Sequence, residues 1–191
     1  MYEIQTYLGA DGLMHCTVCK EPVEAFYPKG SLLEMRKHHR QCACERKAYA
    51  EEAQYYKEKE HRELIARNKK ICFEEKEMEG FTFQNVERDS GVIRIAEEYV
   101  TNWQKMKQNH MGYLFWGPVG TGKSYLAACI ANALLEKEVT VKMTNFNTIL
   151  NDLFAAEDKT EYIRLLNGYE LLIIDDLGVE RSSEYALENI F

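Results

Sequence analysis

Gly117-Pro118-Val119-Gly120-Thr121-Gly122-Lys123-Ser124 matches G-x-x-x-x-G-K-[ST] at every fixed position, the spacing of a phosphate-binding loop. A glycine-rich loop of this spacing lets successive backbone N–H groups point at phosphate oxygens with no Cβ atoms in the way. Gly117, Gly120 and Gly122 supply that backbone, and Pro118, Val119 and Thr121 complete the cradle. Lys123 is expected to reach the β- and γ-phosphates, Ser124 to put its hydroxyl on Mg²⁺, and the following helix to turn its positive end to the anion. Working outward, Tyr113-Leu114-Phe115-Trp116 reads as a buried strand entering the loop. Residues 126–135 read as a helix apolar on most sides, packed against a sheet. The implied ligand is a nucleoside triphosphate such as ATP, held by an α/β fold.

Downstream, Leu171-Leu172-Ile173-Ile174-Asp175-Asp176 is an apolar run of β-formers ending in two carboxylates. A buried parallel strand reads as such a run, and the functional groups of open α/β sheets lie at the carboxyl ends of strands. This is a Walker B strand. Asp175 is expected in the Mg²⁺ shell, and Asp176 at the position that orients or deprotonates the attacking water. With Lys123 they form the candidate catalytic set.

Length allows one α/β domain and a small appendage in 191 residues. The formal charge of -7 excludes a globally basic nucleic-acid coat but not a local patch. No apolar run approaches the roughly 20 residues of a membrane span, and the amino terminus lacks the basic start and apolar core of a signal peptide. The expectation is a cytoplasmic protein with no membrane partner.

Four of the six cysteines form two close pairs, Cys16-Thr17-Val18-Cys19 and Cys42-Ala43-Cys44. Brought together on turns, they make a closed tetrahedral Zn²⁺ shell, which supplies folding free energy that so short a segment cannot obtain from burial. His15, His38 and His39 are alternatives for one of the thiolates. Cys72 and Cys129 have no sequence partner and read as ordinary half-buried residues. Between the pairs, Lys29, Arg36, Lys37 and Arg40 with His38 and His39 form a basic stretch, with Arg46 and Lys47 just beyond. It suits either nucleic-acid phosphate or an acidic protein surface, or else is a solvated face, with Phe26 and Tyr27 as the nearby aromatics.

Residues 45–79 contain no Gly or Pro until Gly80 and are rich in Glu, Lys, Arg and Ala. They predict a long charged helix of about 50 Å. The organisation expected is therefore a zinc-binding module over 1–48, a charged helical linker over 49–80, and an ATPase domain over 81–191.

Taken together, the cysteine-rich module, the charged helix, Phe81-Thr82-Phe83-Gln84-Asn85-Val86, the phosphate loop and Leu172-Ile173-Ile174-Asp175-Asp176-Leu177-Gly178-Val179-Glu180-Arg181 resemble the AAA+ replicative helicase loaders of the DnaC and DnaI type. The D-D-L-G-x-E stretch is shared with the IstB-type transposition helpers, which are the alternative. The resemblance implies a P-loop AAA+ ATPase domain whose parallel sheet is incomplete here. It also implies an amino-terminal module that grips a hexameric replicative helicase, self-association through the ATPase domain, and contact with single-stranded DNA. For DNA contact it points to a helical insertion around 149–168 with Phe154, and to Ser183 and Tyr185 after the Walker B strand.

Two departures follow from the same resemblance. Asp176 stands where many AAA+ ATPases carry Glu, and its shorter arm suits slow hydrolysis used as a switch. The sequence ends at Phe191, before the sensor and arginine-finger segments the family carries. The expectation is a fragment that binds ATP without hydrolysing it efficiently, with the Tyr113 to Trp116 strand and the Walker B strand left unbridged. A non-hydrolysing zinc-containing adaptor is a further alternative.

Overall fold

The computed structural model describes residues 5–33, 36–85 and 91–177, which fall into two units, 1–61 and 62–191. In the first unit, β1 (Thr6–Leu8) pairs antiparallel with β2 (Met14–Cys16), and β3 (Glu24–Phe26) pairs antiparallel with β4 (Lys37–His39). Strands of three residues do not hold themselves together in water. The buried cluster between them is Cys16, Val23 and Cys42, with Met14, Cys19 and Cys44 packed against it. The cysteines thus occupy the place of a hydrophobic core.

The long helix is α1, Ala43–Cys72. It starts inside the second cysteine pair, so Cys42-Ala43-Cys44 is a helix start and not the turn expected. Its first N–H is satisfied at long range: the Glu21 carboxylate accepts from the Ala43 N–H at 2.7 Å and from Arg46 at 3.2 Å. α1 ends at Cys72 and not near residue 79, because Cys72 and Phe73 are drawn into the core of the second unit. A 3₁₀ turn, Lys76–Gly80, follows.

That core is built around α4 (Lys123–Leu135), the helix the phosphate loop leads into. Leu126, Ala128, Ile130, Ala131, Leu134 and Leu135 are all buried, so α4 must be covered on several sides. α2 (Gly91–Thr101) covers one side with Ala96, Tyr99 and Val100, and α3 (Trp103–Gln108) adds Trp103. β5 (Val141–Asn145) contributes Val141 and Met143, and the 3₁₀ turn closes another side. The turn is fixed by Asn132, buried in mid-helix, whose amide donates to the carbonyls of Met78 (2.7 Å), Phe81 (3.0 Å) and Ala128 (3.0 Å). Phe81 stacks on Tyr125 at 4.5 Å, and the Tyr125 hydroxyl donates to the Thr82 carbonyl. Cys72 and Cys129 are both fully buried rather than half-buried.

β5 leads into α5 (Phe146–Ala155) and α6 (Lys159–Asn167), and β6 (Leu171–Asp175) returns parallel to β5 in the register Val141↔Leu171 to Asn145↔Asp175. α5 and α6 occupy the place expected of the helical insertion. Each is capped by an Asx side chain: Asn145 accepts from the Thr148 N–H, and Asp158 from the N–H groups of Thr160 and Glu161. Among the described residues no helix is long and apolar enough to cross a membrane.

Tyr113-Leu114-Phe115-Trp116 does not form the buried strand that the sequence predicts. Leu114 and Trp116 are 71% and 86% exposed. A strand exists through pairing, and among the described residues β6 has β5 on one edge only. Between residues 112–117 and residues 171–177 lies a cavity of about 540 Å³, lined by both segments. Among the described residues the segment before the phosphate loop has no ladder to join.

Two outcomes test this packing. Replacing Asn132 by Leu removes the side-chain donor from the Met78 and Phe81 carbonyls, of which Met78 keeps only the Phe81 N–H, and is expected to cost about 1–3 kcal/mol in urea denaturation followed by Trp103 fluorescence. Glu170 is held below the usual carboxylate range by the Lys107 ammonium, despite partial burial, with help from the Thr140 N–H. A depressed folded pKa means stabilisation present above the unfolded value and lost as pH falls through the folded one. Glu170→Gln is therefore expected to flatten the fall in Tm between about pH 5 and pH 3.

Candidate functional site

The phosphate loop is shaped by its glycines. Gly120 and Gly122 have φ of 80° and 85°, a left-handed backbone that costs an ordinary residue energy. A Cβ at either position would meet nothing within 4 Å, so the demand is for the backbone angle and not for space. Gly122 caps α4, and Lys123 and Ser124 form the first turn of that helix, where unpaired N–H groups and the helix dipole favour an anion. The Lys123 ammonium donates to the carbonyls of Gly117 (3.1 Å) and Pro118 (3.0 Å), and Thr121 donates to Pro118 at 2.9 Å. The cation is thereby held across the loop, on the side where phosphate oxygens would lie.

The carboxylates arrive from the other wall. Asp175 is the last residue of β6, and Asp176 follows with φ of 52°, a left-handed conformation that Asp tolerates better than most residues. The Asp176 N–H donates to the Asp175 carboxylate at 3.0 Å. Asp175 and Asp176 share one cavity with Gly117, Val119 and Lys123. Pro118, Gly120, Thr121, Gly122 and Ser124 do not line it. The cavity runs on along β6 past the loop, so the phosphate end is one end of a longer trough. Asn145, which the sequence reading missed, is the register partner of Asp175 at the carboxyl edge. Its signal was a strand-ending Asn that caps the next helix through Thr148.

In the first unit, Cys16, Cys19, Cys42 and Cys44 place their sulfur atoms within 4.8 Å of one another. A tetrahedron of ~2.3 Å Zn–S bonds has S···S edges of about 3.8 Å, so this donor set fits zinc after slight contraction. The histidine alternatives are engaged elsewhere. His15 bonds the Lys20 carbonyl and the Asp11 carboxylate, His38 the His39 carbonyl, and His39 the Glu45 carboxylate. The sulfurs are electrostatically unequal. The Glu21 N–H, with further donors from Cys44, Cys16 and Cys42, pulls the Cys19 thiol down to about 6. Desolvation pushes Cys44 up to about 11 and raises Cys42 as well. One thiolate stabilised by its neighbours is the arrangement from which a cation completes the deprotonation of the others.

Of the candidate DNA residues, Phe154 lies in α5 and is 58% exposed. Ser183 and Tyr185 lie outside the described residues.

The loop geometry yields a test. Gly120→Ala is expected to lower stability by about 1–2 kcal/mol and to weaken ATP binding, with Gly120→Asn intermediate because Asn accepts the left-handed region. Thermal melts with and without ATP measure both.

Compared with known proteins, residues 47–191 match the family of IstB-like ATP binding proteins. The replicative helicase loader DnaC of Escherichia coli K12 is 30% identical over 104 residues, 52% of this chain and 41% of that protein. The replicative helicase loader DnaI of Bacillus subtilis is 24% identical over 127 residues, 63% of this chain and 41% of that protein. A putative insertion sequence ATP-binding protein of Sinorhizobium fredii is 33% identical over 106 residues, 54% of this chain and 35% of that protein. The chain spans about two fifths of the length of these relatives. With three quarters of its residues inside the family match, and the phosphate loop and Walker B strand meeting on one cavity, the chain belongs to the family of IstB-like ATP binding proteins.

Proposed function

We propose that this chain is the ATP-binding part of a DNA replication protein that helps load a hexameric replicative helicase onto single-stranded DNA. The observation that carries the reading is the convergence of Lys123 with Asp175 and Asp176 on one cavity. A loop cation and two strand-end carboxylates are the parts needed to hold a triphosphate and its Mg²⁺. In this reading Gly117 to Ser124 hold the phosphates and Ser124 and Asp175 take the metal. Asp176 faces the γ-phosphate, and the short arm of that residue suits slow turnover.

The first unit takes the helicase-binding role, with Zn²⁺ held by Cys16, Cys19, Cys42 and Cys44 as its staple. The ATPase unit takes self-association and the ATP-dependent contact with DNA, through Phe154, Ser183 and Tyr185. The names of the Escherichia and Bacillus relatives support loading. The Sinorhizobium relative supports a second reading, an ATPase that assists transposition.

The full chain tests the division of labour. Wild type is expected to show a thermal shift with ATP and Mg²⁺ that Lys123→Ala abolishes, because the γ-phosphate charge is then unmatched. Immobilised chain is expected to capture the replicative helicase with or without nucleotide. The Cys16→Ser, Cys42→Ser double variant is expected to lose both helicase capture and bound zinc by metal analysis, while keeping the ATP shift. Capture of a transposase in place of the helicase favours the second reading. No ATP shift in wild type would falsify the nucleotide assignment.

A further inference from the structure

The two hairpins of the first unit carry aromatic side chains that its core does not use. Tyr7 is 40% and Phe26 48% exposed, whereas the buried cluster consists of Cys16, Val23 and Cys42. Each ring has an ammonium beside it. Lys20 Nζ lies 5.3 Å from the Tyr7 ring centroid, and Lys37 Nζ lies 5.7 Å from that of Phe26. The two clusters meet at the loop joining β1 to β2. His15, 5.7 Å from Tyr7, bonds Asp11 in that loop, and Lys37 donates to the Gly12 carbonyl. The two ring–ammonium pairs are thereby joined through Asp11 and Gly12 of that loop.

The charge on these hairpins is positive where it is free to act. Asp11 is engaged by His15 and the Leu13 N–H, and Glu24 pairs with Lys37 at 3.3 Å, so that pair carries no net charge and the positive excess comes from Lys20 and from the exposed Arg36 and Arg40. Lys20 is held by a neutral acceptor, the Thr17 carbonyl. Along one edge the run from Arg36 to Arg40, which includes Lys37, is exposed throughout. A flat ring next to a cation matches a nucleotide, whose base has a face to stack and whose phosphate lies within reach of the ammonium. An acidic peptide would satisfy the cations and leave the rings without a counterpart.

We propose that the two hairpins carrying Tyr7, Lys20 and Phe26 bind single-stranded nucleic acid, stacking bases on the rings and neutralising phosphates with Lys20, Arg36 and Arg40. This contact is separate from the ATP-dependent DNA contact of the ATPase unit, and it needs no nucleotide.

Fluorescence anisotropy of a labelled thymidine oligonucleotide with the full chain, without ATP, tests it. Wild type is expected to bind, and Tyr7→Ala with Phe26→Ala to weaken binding at least about tenfold. Tyr7→Trp with Phe26→Trp is expected to retain it. Lys20→Gln is expected to reduce the slope of log K on log salt by about 0.7. Circular dichroism and zinc content matching wild type show that the ring variants are folded. Lys123→Ala is expected to bind like wild type, so a dead ATP site leaves this readout intact. Binding unchanged by the alanine pair, lost equally in the tryptophan pair, seen only with ATP, or replaced by binding of a polyglutamate peptide overturns the proposal.

Discussion

The second unit depends on covering α4. A helix that starts in a phosphate loop must keep its first turn open to the ligand, yet from Leu126 onward nearly every residue of this one is buried. No single layer can hide a helix that is apolar all round. β5 takes one side, α2 and α3 another, and the 3₁₀ turn a third. The turn has little apolar surface of its own, so it is held by polar contacts from Asn132. A mid-helix amide is an unusual choice for a core, and it is tolerated because its two N–H bonds serve three carbonyls there.

The same demand explains why α1 stops where it does. Its sequence favours helix as far as Gly80, but the helix stops at Cys72, and Phe73 just beyond it is buried in the core of the second unit. The end of the helix is tied to that unit. Lys69 pairs with Glu136 at 2.8 Å, Lys142 donates to the Ile71 carbonyl, and Glu74 accepts from the hydroxyls of Thr144 and Thr148. The last turns of α1 thus belong to the core of the second unit. The strand β5 that they touch ends at Asn145, the register partner of Asp175. A displacement of that end would reach the Asp175 edge of the cavity through a single strand.

Local chemistry was legible in the sequence where one residue type serves one need. Three glycines and a lysine at fixed spacing marked the phosphate loop, and an apolar run ending in Asp175 marked β6, because the backbone angles and charges involved admit few other residues. The four cysteines were legible as a set for the same reason. Choosing sulfur over His15, His38 or His39 needed the structure, since only packing shows that each imidazole already has another partner. The failures are those of pairing and of competition. Tyr113 to Trp116 has the composition of a strand, but a ladder requires a neighbour that composition does not supply. Residues 73–79 have helix propensity, but burial of Phe73 outweighs a few tenths of a kcal/mol per residue.

The two units also show two answers to the same shortage of apolar surface. The first has strands of three residues and a buried cluster that is mostly sulfur, so polar contacts carry much of its structure. Glu21 bridges the first knuckle to the start of α1 through both Ala43 and Arg46, and Glu45 reaches back to His39 on β4. These carboxylates tie the hairpins to the start of α1 beside the cysteine pairs. In the second unit the constraint is reversed: the core is ample, and the site is built from special backbone set against it. Gly120, Gly122 and Asp176 adopt left-handed backbone within the two segments that meet at the cavity, the glycines at little cost and Asp176 at some, as His110 and Glu138 do elsewhere in the unit. The buried body of α4 behind Lys123, and the β5 ladder behind Asp175, hold the loop and the strand end in place.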